Sequence, residues 1–235
     1  MAVVTDVEVV DLGTTSLREL NQRLHDVAGE EPEPRRWRVV NPNGSHAVAC
    51  GLDAPLEVEI AGHVGYYCAG MNKRATVRVR GNAGPGLAEN MMSGTVVVDG
   101  NASQSAGATG RGGLLVVHGD AGARCGISMK GVDIVVRGSI GHLSAFMAQR
   151  GALVVCGDAG EALGDSIYET HVYVRGTVAS LGADCIEKEL EERHLLEVQS
   201  LLQRAGCRDV DPFEFRRYGS ARQLYNFRID NAGAY

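Results

Sequence analysis

The stretch "TVVVDGNASQSAGATGRGG" (Thr95–Gly113) runs without a gap into "LLVVHGDAGARCGISMKGV" (Leu114–Val132), and the two align position for position. Each opens on a strand-forming run, reaches a glycine at its sixth residue and ends after 19 residues. The frame extends in both directions, with units beginning at Glu57, Thr76, Thr95, Leu114, Asp133, Ala152 and His171. Their sixth residues are Gly62, Gly81, Gly100, Gly119, Gly138, Gly157 and Gly176. A register held through seven units predicts a solenoid, because each unit can bury its apolar side chains only against copies of itself.

Within the unit, the second residues are Val58, Val77, Val96, Leu115, Ile134, Leu153 and Val172, and the fourth are Ile60, Val79, Val98, Val117, Val136, Val155 and Val174. Two aliphatic positions one residue apart share a face of a strand. Their β-branched bias suits a buried pleated surface. The glycine that follows is expected where the chain bends sharply or takes positive φ. A hexapeptide left-handed helix needs a coil divisible by six, the calcium-binding nonapeptide roll needs GGxGxD, and polysaccharide-cleaving β-helices need an acidic cluster. None of these features is found in the units. The expectation is an all-β chain, a right-handed parallel β-helix of seven 19-residue coils with flanking N- and C-terminal helices.

The third strand position should point away from the core. It reads Glu59 and Arg78, then Val97, Val116, Val135, Val154 and Tyr173. An apolar ladder of that size is rarely left bare. The N-terminal helix, the C-terminal segment or another subunit could cover it, so these five residues are candidate subunit-interface residues. A G-x-x-G follows from the sixth position in five coils, for example Gly119–Gly122 and Gly138–Gly141. A glycine-rich phosphate loop opens a helix and carries GK[ST] behind it. A motif recurring in five of the seven coils without that ending is read as geometry.

Three segments are expected: residues 1–56, an N-terminal helix and strand extension; 57–189, the β-helix; and 190–235, a C-terminal capping helix and interface tail. Ser16 and Glu19 have capping-box spacing at the start of a helix over 16–28, followed by a polar linker over 30–36 and strands over 37–50. A second helix is expected over 185–205, ending at Gly206 and capping the end of the solenoid. The tail mixes aromatics with arginine, as interfaces do: Phe213, Phe215, Arg217, Tyr225 and Phe227 are further interface candidates. The coil ends carry Lys73, Arg74, Arg111, Lys130 and Arg150, readable as a solvated or partner-facing basic edge.

A net charge of −6 argues against nucleic acid as a partner, and no apolar run is long enough to span a bilayer. The N-terminus lacks a signal-peptide pattern, so a cytoplasmic location is expected. The six cysteines form no C-x-x-C and are read as reduced packing residues. Histidines such as His118 and His171 are read as isolated on the outer face, and no catalytic, cofactor-binding or metal-binding constellation can be assembled.

The units quoted above resemble the GXGXG β-helix module of the glutamate synthase family. That module forms the C-terminal domain of the large glutamate synthase subunit and stands alone as the third subunit of split enzymes; a related version occurs in formylmethanofuran dehydrogenase. The resemblance covers the coils and extends to "SARQLYNF" (Ser220–Phe227). It implies a non-catalytic architectural subunit in a hetero-oligomer, buttressing a glutaminase-like amidotransferase subunit and an FMN-binding synthase-like subunit. FMN and an iron–sulfur cluster are then expected in the latter, and no cofactor in this chain. Its length, helix and tail look most like the third subunit of N-methylglutamate synthase, which makes N-methylglutamate from methylamine and glutamate. A split glutamate synthase and a formylmethanofuran dehydrogenase are the alternatives.

Overall fold

The computed structural model describes residues 7–27 and 35–221. Its frame is one sheet in the order β1-β2-β3-β4-β5-β6-β7-β8-β9-β11-β10. The strands are β1 (Val7–Asp11), β2 (Arg35–Val40), β3 (Leu56–Ala61), β4 (Thr76–Val79), β5 (Thr95–Val98), β6 (Leu114–Val117), β7 (Asp133–Val136), β8 (Ala152–Val155), β9 (His171–Val174), β10 (Cys185–Lys188) and β11 (Arg216–Ser220). Strands β1 to β9 are parallel, and from β3 onward each pairs residue i with residue i+19, as in Val77↔Val96 and Val96↔Leu115. The chain is therefore a parallel β-solenoid. A second ladder of single bridges runs through the eighth residues, Val64, Ala83, Ala102, Ala121, Ile140, Ala159 and Val178. The second- and fourth-position aliphatics lie between these two walls and are buried.

The sixth-position glycines owe their identity to space and not to backbone conformation. Of the seven, only Gly62 has positive φ. A Cβ on Gly157 would lie 2.7 Å from the Gly138 carbonyl oxygen and 2.6 Å from Ser139 Oγ. The backbones meet that closely because each seventh residue reaches down the stack. His63 Nδ1 accepts from the Asn82 N–H (2.9 Å), Asn82 Oδ1 from Asn101 (2.8 Å), Asn101 Oδ1 from Asp120 (2.8 Å), Asp120 Oδ1 from Ser139 (2.8 Å), Ser139 Oγ from Asp158 (3.0 Å), and Asp158 Oδ1 from Thr177 (2.7 Å). This continuous side-chain ladder satisfies one backbone N–H per coil along the corner of the stack.

In the first six coils the far turn alternates in handedness. The eleventh, thirteenth and fifteenth residues take positive φ, as in Leu143 (54°), Ala145 (56°) and Met147 (51°). Such backbone costs on the order of 1–3 kcal/mol per non-glycine residue and persists only where its surroundings dictate it. Here alternate N–H groups bond to the coil above and the coil below: Leu143 to Glu161 O (2.8 Å), Ala145 to Cys125 O (2.8 Å) and Met147 to Asp165 O (2.9 Å). The thirteenth side chain points at the core, and a Cβ on Gly107 would meet Ile134 Cδ1 at 2.6 Å, so that position holds only glycine or alanine.

The flanks depart from expectation in several places. Helix α1 (Leu17–His25) begins as expected, with Ser16 Oγ accepting from the Glu19 N–H at 3.2 Å. Leu20 and Leu24 are buried in the core cluster that also holds Val48 and Leu52, and Asn21 bonds to the backbone of Ala47 (2.9 Å) and Ala49 (3.0 Å), so α1 closes the N-terminal end of the solenoid. Residues 28–34 of the expected helix end and linker lie outside the described residues, and Arg35 and Arg36 already belong to β2. Residues 41–50 form turns and not strands, bridging β2 to β3 at an offset of 21 residues.

At the other end, Cys185–Lys188 is a strand and not the start of a helix, because β11 returns to pair antiparallel with both β9 and β10. Helix α2 covers only Glu192–Arg204, with Gly206 beyond it at φ 77°. It does not cap the stack. The β10–β11 pair does that, and α2 lies across the outer face of the sheet.

Candidate functional site

That outer face is divided. In its C-terminal half the apolar ladder is covered by the chain itself: Val116, Val135, Val154 and Tyr173 are buried together with Val198, Leu201, Leu202, Ala205, Cys207, Val210 and Phe215. These ladder residues and Phe215 are therefore internal contacts and not a surface offered to another subunit; Val97 is half-buried at the edge of the cluster. The reason is the apolar stripe of α2, whose buried side recurs at Val198, Leu201 and Leu202 and matches the ladder across the sheet. Ion pairs rim the contact, Arg137–Asp209 at 2.6 Å, Arg204–Asp133 at 3.4 Å and Arg175–Glu214 at 3.5 Å, together with a His171–Glu197 hydrogen bond at 2.8 Å. Exposed pairs contribute at most ~1 kcal/mol each, so the apolar contact holds the helix and the pairs set its register.

In the N-terminal half the same face is open. Arg36 pairs with Glu57 (2.9 Å), Arg38 with Glu59 (3.6 Å), Arg80 with Glu59 (2.6 Å) and with Asp99 (3.1 Å), and Arg78 with Asp99 (2.7 Å). Charges alternate rung by rung, so neighbouring strands attract across the sheet. Burial pushes the Asp99 carboxyl up, but the two arginines outweigh it and hold Asp99 below the usual carboxylate range. The edge strand β1 adds exposed Val7 and Val9. Elsewhere Phe213, which is 76% exposed, projects from a single 3₁₀ turn (Pro212–Glu214). Tyr225 and Phe227 lie outside the described residues.

A further polar cluster lies under the N-terminal part of α2, and its members were not brought together by the sequence pattern. His171, the first residue of β9, shares Glu197 Oε2 with the Tyr173 hydroxyl, and His194 packs edge-on to His171 with ring centres 5.3 Å apart. His194 Nδ1 accepts from the Glu191 N–H at 3.0 Å, and its ring is almost completely buried. Burial lowers the His194 pKa. Burial also works to raise Glu197, yet the hydrogen bonds from His171 and Tyr173 outweigh it and the carboxyl falls below its ordinary value. Tyr173 is pushed up, by burial first and by the Glu197 carboxylate second. At neutral pH the cluster therefore holds an ionised Glu197 and a neutral Tyr173 donating to it, the electrostatics of a clasp and not of a poised base. The signal that could have found it is the i, i+3 spacing of His194 and Glu197 on one helix face.

The thiols are equally unsuited to nucleophilic work. Cys68, Cys125, Cys156, Cys185 and Cys207 are buried, and burial pushes Cys125 up to about 12 and Cys156 and Cys185 up to about 11. Among the described residues no group of three or more His, Cys, Asp or Glu could hold a metal ion, and no helix is long and apolar enough to cross a membrane. Of the basic coil ends, Lys73 pairs with Asp53 at 2.7 Å, while Arg111, Lys130 and Arg150 are exposed.

Protein GlxC of Rhizobium meliloti (strain 1021) is 64% identical to this chain over 227 residues, which is 97% of this chain and 99% of that protein. No family model matches the chain, and no solved structure matches it.

Proposed function

The chain belongs to the family of Protein GlxC, and on that premise we propose that it is a non-catalytic architectural subunit of a glutamate-synthase-like complex, N-methylglutamate synthase being the specific assignment. The observation that carries this reading is the division of the outer sheet face. The chain satisfies its own apolar ladder internally with α2, and still presents an alternating charged face from Arg36 to Asp99 and an exposed Phe213. Such a rigid surface suits an attachment face more than an active site, because the ionisable residues on it are paired with one another.

The 19-residue solenoid with its GxxG corners supports the glutamate synthase relationship by resemblance of motif, and the 64% identity to Protein GlxC sets both chains in one family. On this reading the glutaminase-like and FMN-binding subunits sit against the bare half of the face and the region around Phe213. The flavin and iron–sulfur cluster belong to the synthase-like partner, and the assembly works in the cytoplasm. This chain contributes shape: a stiff, hydrogen-bonded rod that holds two catalytic subunits in fixed relation. The specific assignment is tested by assaying the complex isolated with this chain for N-methylglutamate formation from methylamine and glutamate. Formation of glutamate from glutamine, with methylamine inert, would place the chain in a split glutamate synthase instead.

A further inference from the structure

At the C-terminal end of the sheet, beside the Glu197 clasp, a cleft of about 230 Å³ is lined by Thr170, His171, Lys188, Arg217 and Glu169, among others. Strand pairing sets Lys188 of β10 directly opposite Arg217 of β11, and Arg217 opposite Tyr173 of β9. Directly opposed residues share a face and lie within about 5 Å at Cβ, so two cations there repel each other. Among the described residues, neither Lys188 nor Arg217 has a carboxylate within ion-pair distance. Arg217 Nη1 donates to the Glu189 carbonyl at 3.1 Å, but its buried Nε has no partner, and neither has the buried Thr170 hydroxyl. Three buried side-chain polar atoms lack partners among the described residues, and two of them belong to residues of this one cleft.

Buried donors without acceptors are costly, and like charges forced together compound the cost; an incoming anionic oxygen relieves both. We propose that this cleft binds a small carboxylic acid as its carboxylate. One oxygen faces the Nε edge of Arg217, in the geometry that suits carboxylates, while Lys188 supplies the point charge and Thr170 a hydroxyl donor. Glu169 on the rim disfavours a dianion, which selects a monocarboxylate over phosphate. The site does not rest on the subunit reading above and can be tested on the isolated chain.

The test is thermal unfolding of the full chain titrated with sodium acetate and sodium butyrate, against sodium chloride at matched ionic strength and against sodium phosphate. The wild type should show a saturable rise in Tm of about 5–10 °C at a hundredfold excess over Kd. Thr170→Val and Lys188→Met should each lose that rise, yet melt no lower than wild type in chloride alone, because one removes an unpartnered hydroxyl and the other a repulsion. A wild type whose Tm follows ionic strength only overturns the proposal, as does an undiminished rise in both variants. A larger saturable rise with phosphate than with butyrate overturns the carboxylate assignment.

Discussion

Replacing Gly157 by alanine isolates the cause of the sixth-position glycines. Gly157 does not lie in the left-handed region, so alanine suits its backbone and should on conformational grounds add about 0.4–1 kcal/mol by restricting the unfolded chain. Space says the opposite. The new Cβ would sit 2.7 Å from both the carbonyl carbon and the oxygen of Gly138 and 2.6 Å from Ser139 Oγ, where no rotamer change can relieve the backbone contacts. Parting the coils would strain the Gly157 N–H to Gly138 O bond (2.9 Å) and the Asp158 N–H to Ser139 Oγ bond (3.0 Å). Overpacking at about 1–3 kcal/mol and about 1 kcal/mol for each weakened bond outweigh the conformational gain. The expected net loss is roughly 2–4 kcal/mol, a fall in Tm of about 5–15 °C. Far-UV circular dichroism melts measure it. Adding Ser139→Ala removes the side-chain contact but not the backbone one, so the double variant should recover nothing. A Gly157→Ala protein as stable as wild type, or a double variant restored to wild type, would refute the close-stacking argument and return the glycine to a conformational role.

Other variants probe the two faces of the sheet. Val135→Glu places a carboxylate under α2 at a cost of several kcal/mol, so hydrogen exchange should show residues 190–221 released while the coils stay protected; uniform exchange throughout would contradict the covered-ladder assignment. Val136→Asp, one residue on, enters the core between the two ladders and should leave no folded protein; a native-like circular dichroism spectrum would reverse the inward and outward assignment. The Glu197 carboxyl is depressed in the folded chain, so its contribution is present above the ordinary carboxylate range and lost as pH falls through the folded value. Asp133, which burial pushes up despite Arg204, works in the opposite sense. Glu197→Gln should therefore flatten only the acid-side weakening of α2 docking, monitored by protease cleavage near Glu191, and an unchanged pH profile would remove Glu197 from the clasp.

The sequence carried the solenoid because a repeat is a nearest-neighbour signal: an unbroken 19-residue register dictates that Val96 meets Val77 and Leu115, and the pairing follows it. The helix at Leu17 was equally legible from Ser16 and Glu19, which lie three residues apart. What stayed hidden depends on distant partners. The apolar stripe of α2 announces that one side is buried but not which surface receives it, so a ladder that α2 covers read equally well as an interface. Cys185–Lys188 is a strand only because Arg216–Ser220 returns to pair with it, and four residues carry no periodicity to show this. The seventh-position ladder escaped notice because histidine, asparagine, aspartate and serine look unrelated as letters; they share one acceptor at the same reach. Lys188 and Arg217 are 29 positions apart and become opposed only through the antiparallel return of β11.

The most direct test of the architectural role is affinity purification of the native protein from its own cells under gentle conditions, with mass spectrometry and a visible absorption spectrum of what is recovered. The account predicts a glutaminase-like chain and a yellow-brown chain carrying flavin and iron–sulfur absorption, both lost when the Arg36–Asp99 face is reversed in charge. Recovery of this chain alone and colourless would contradict it.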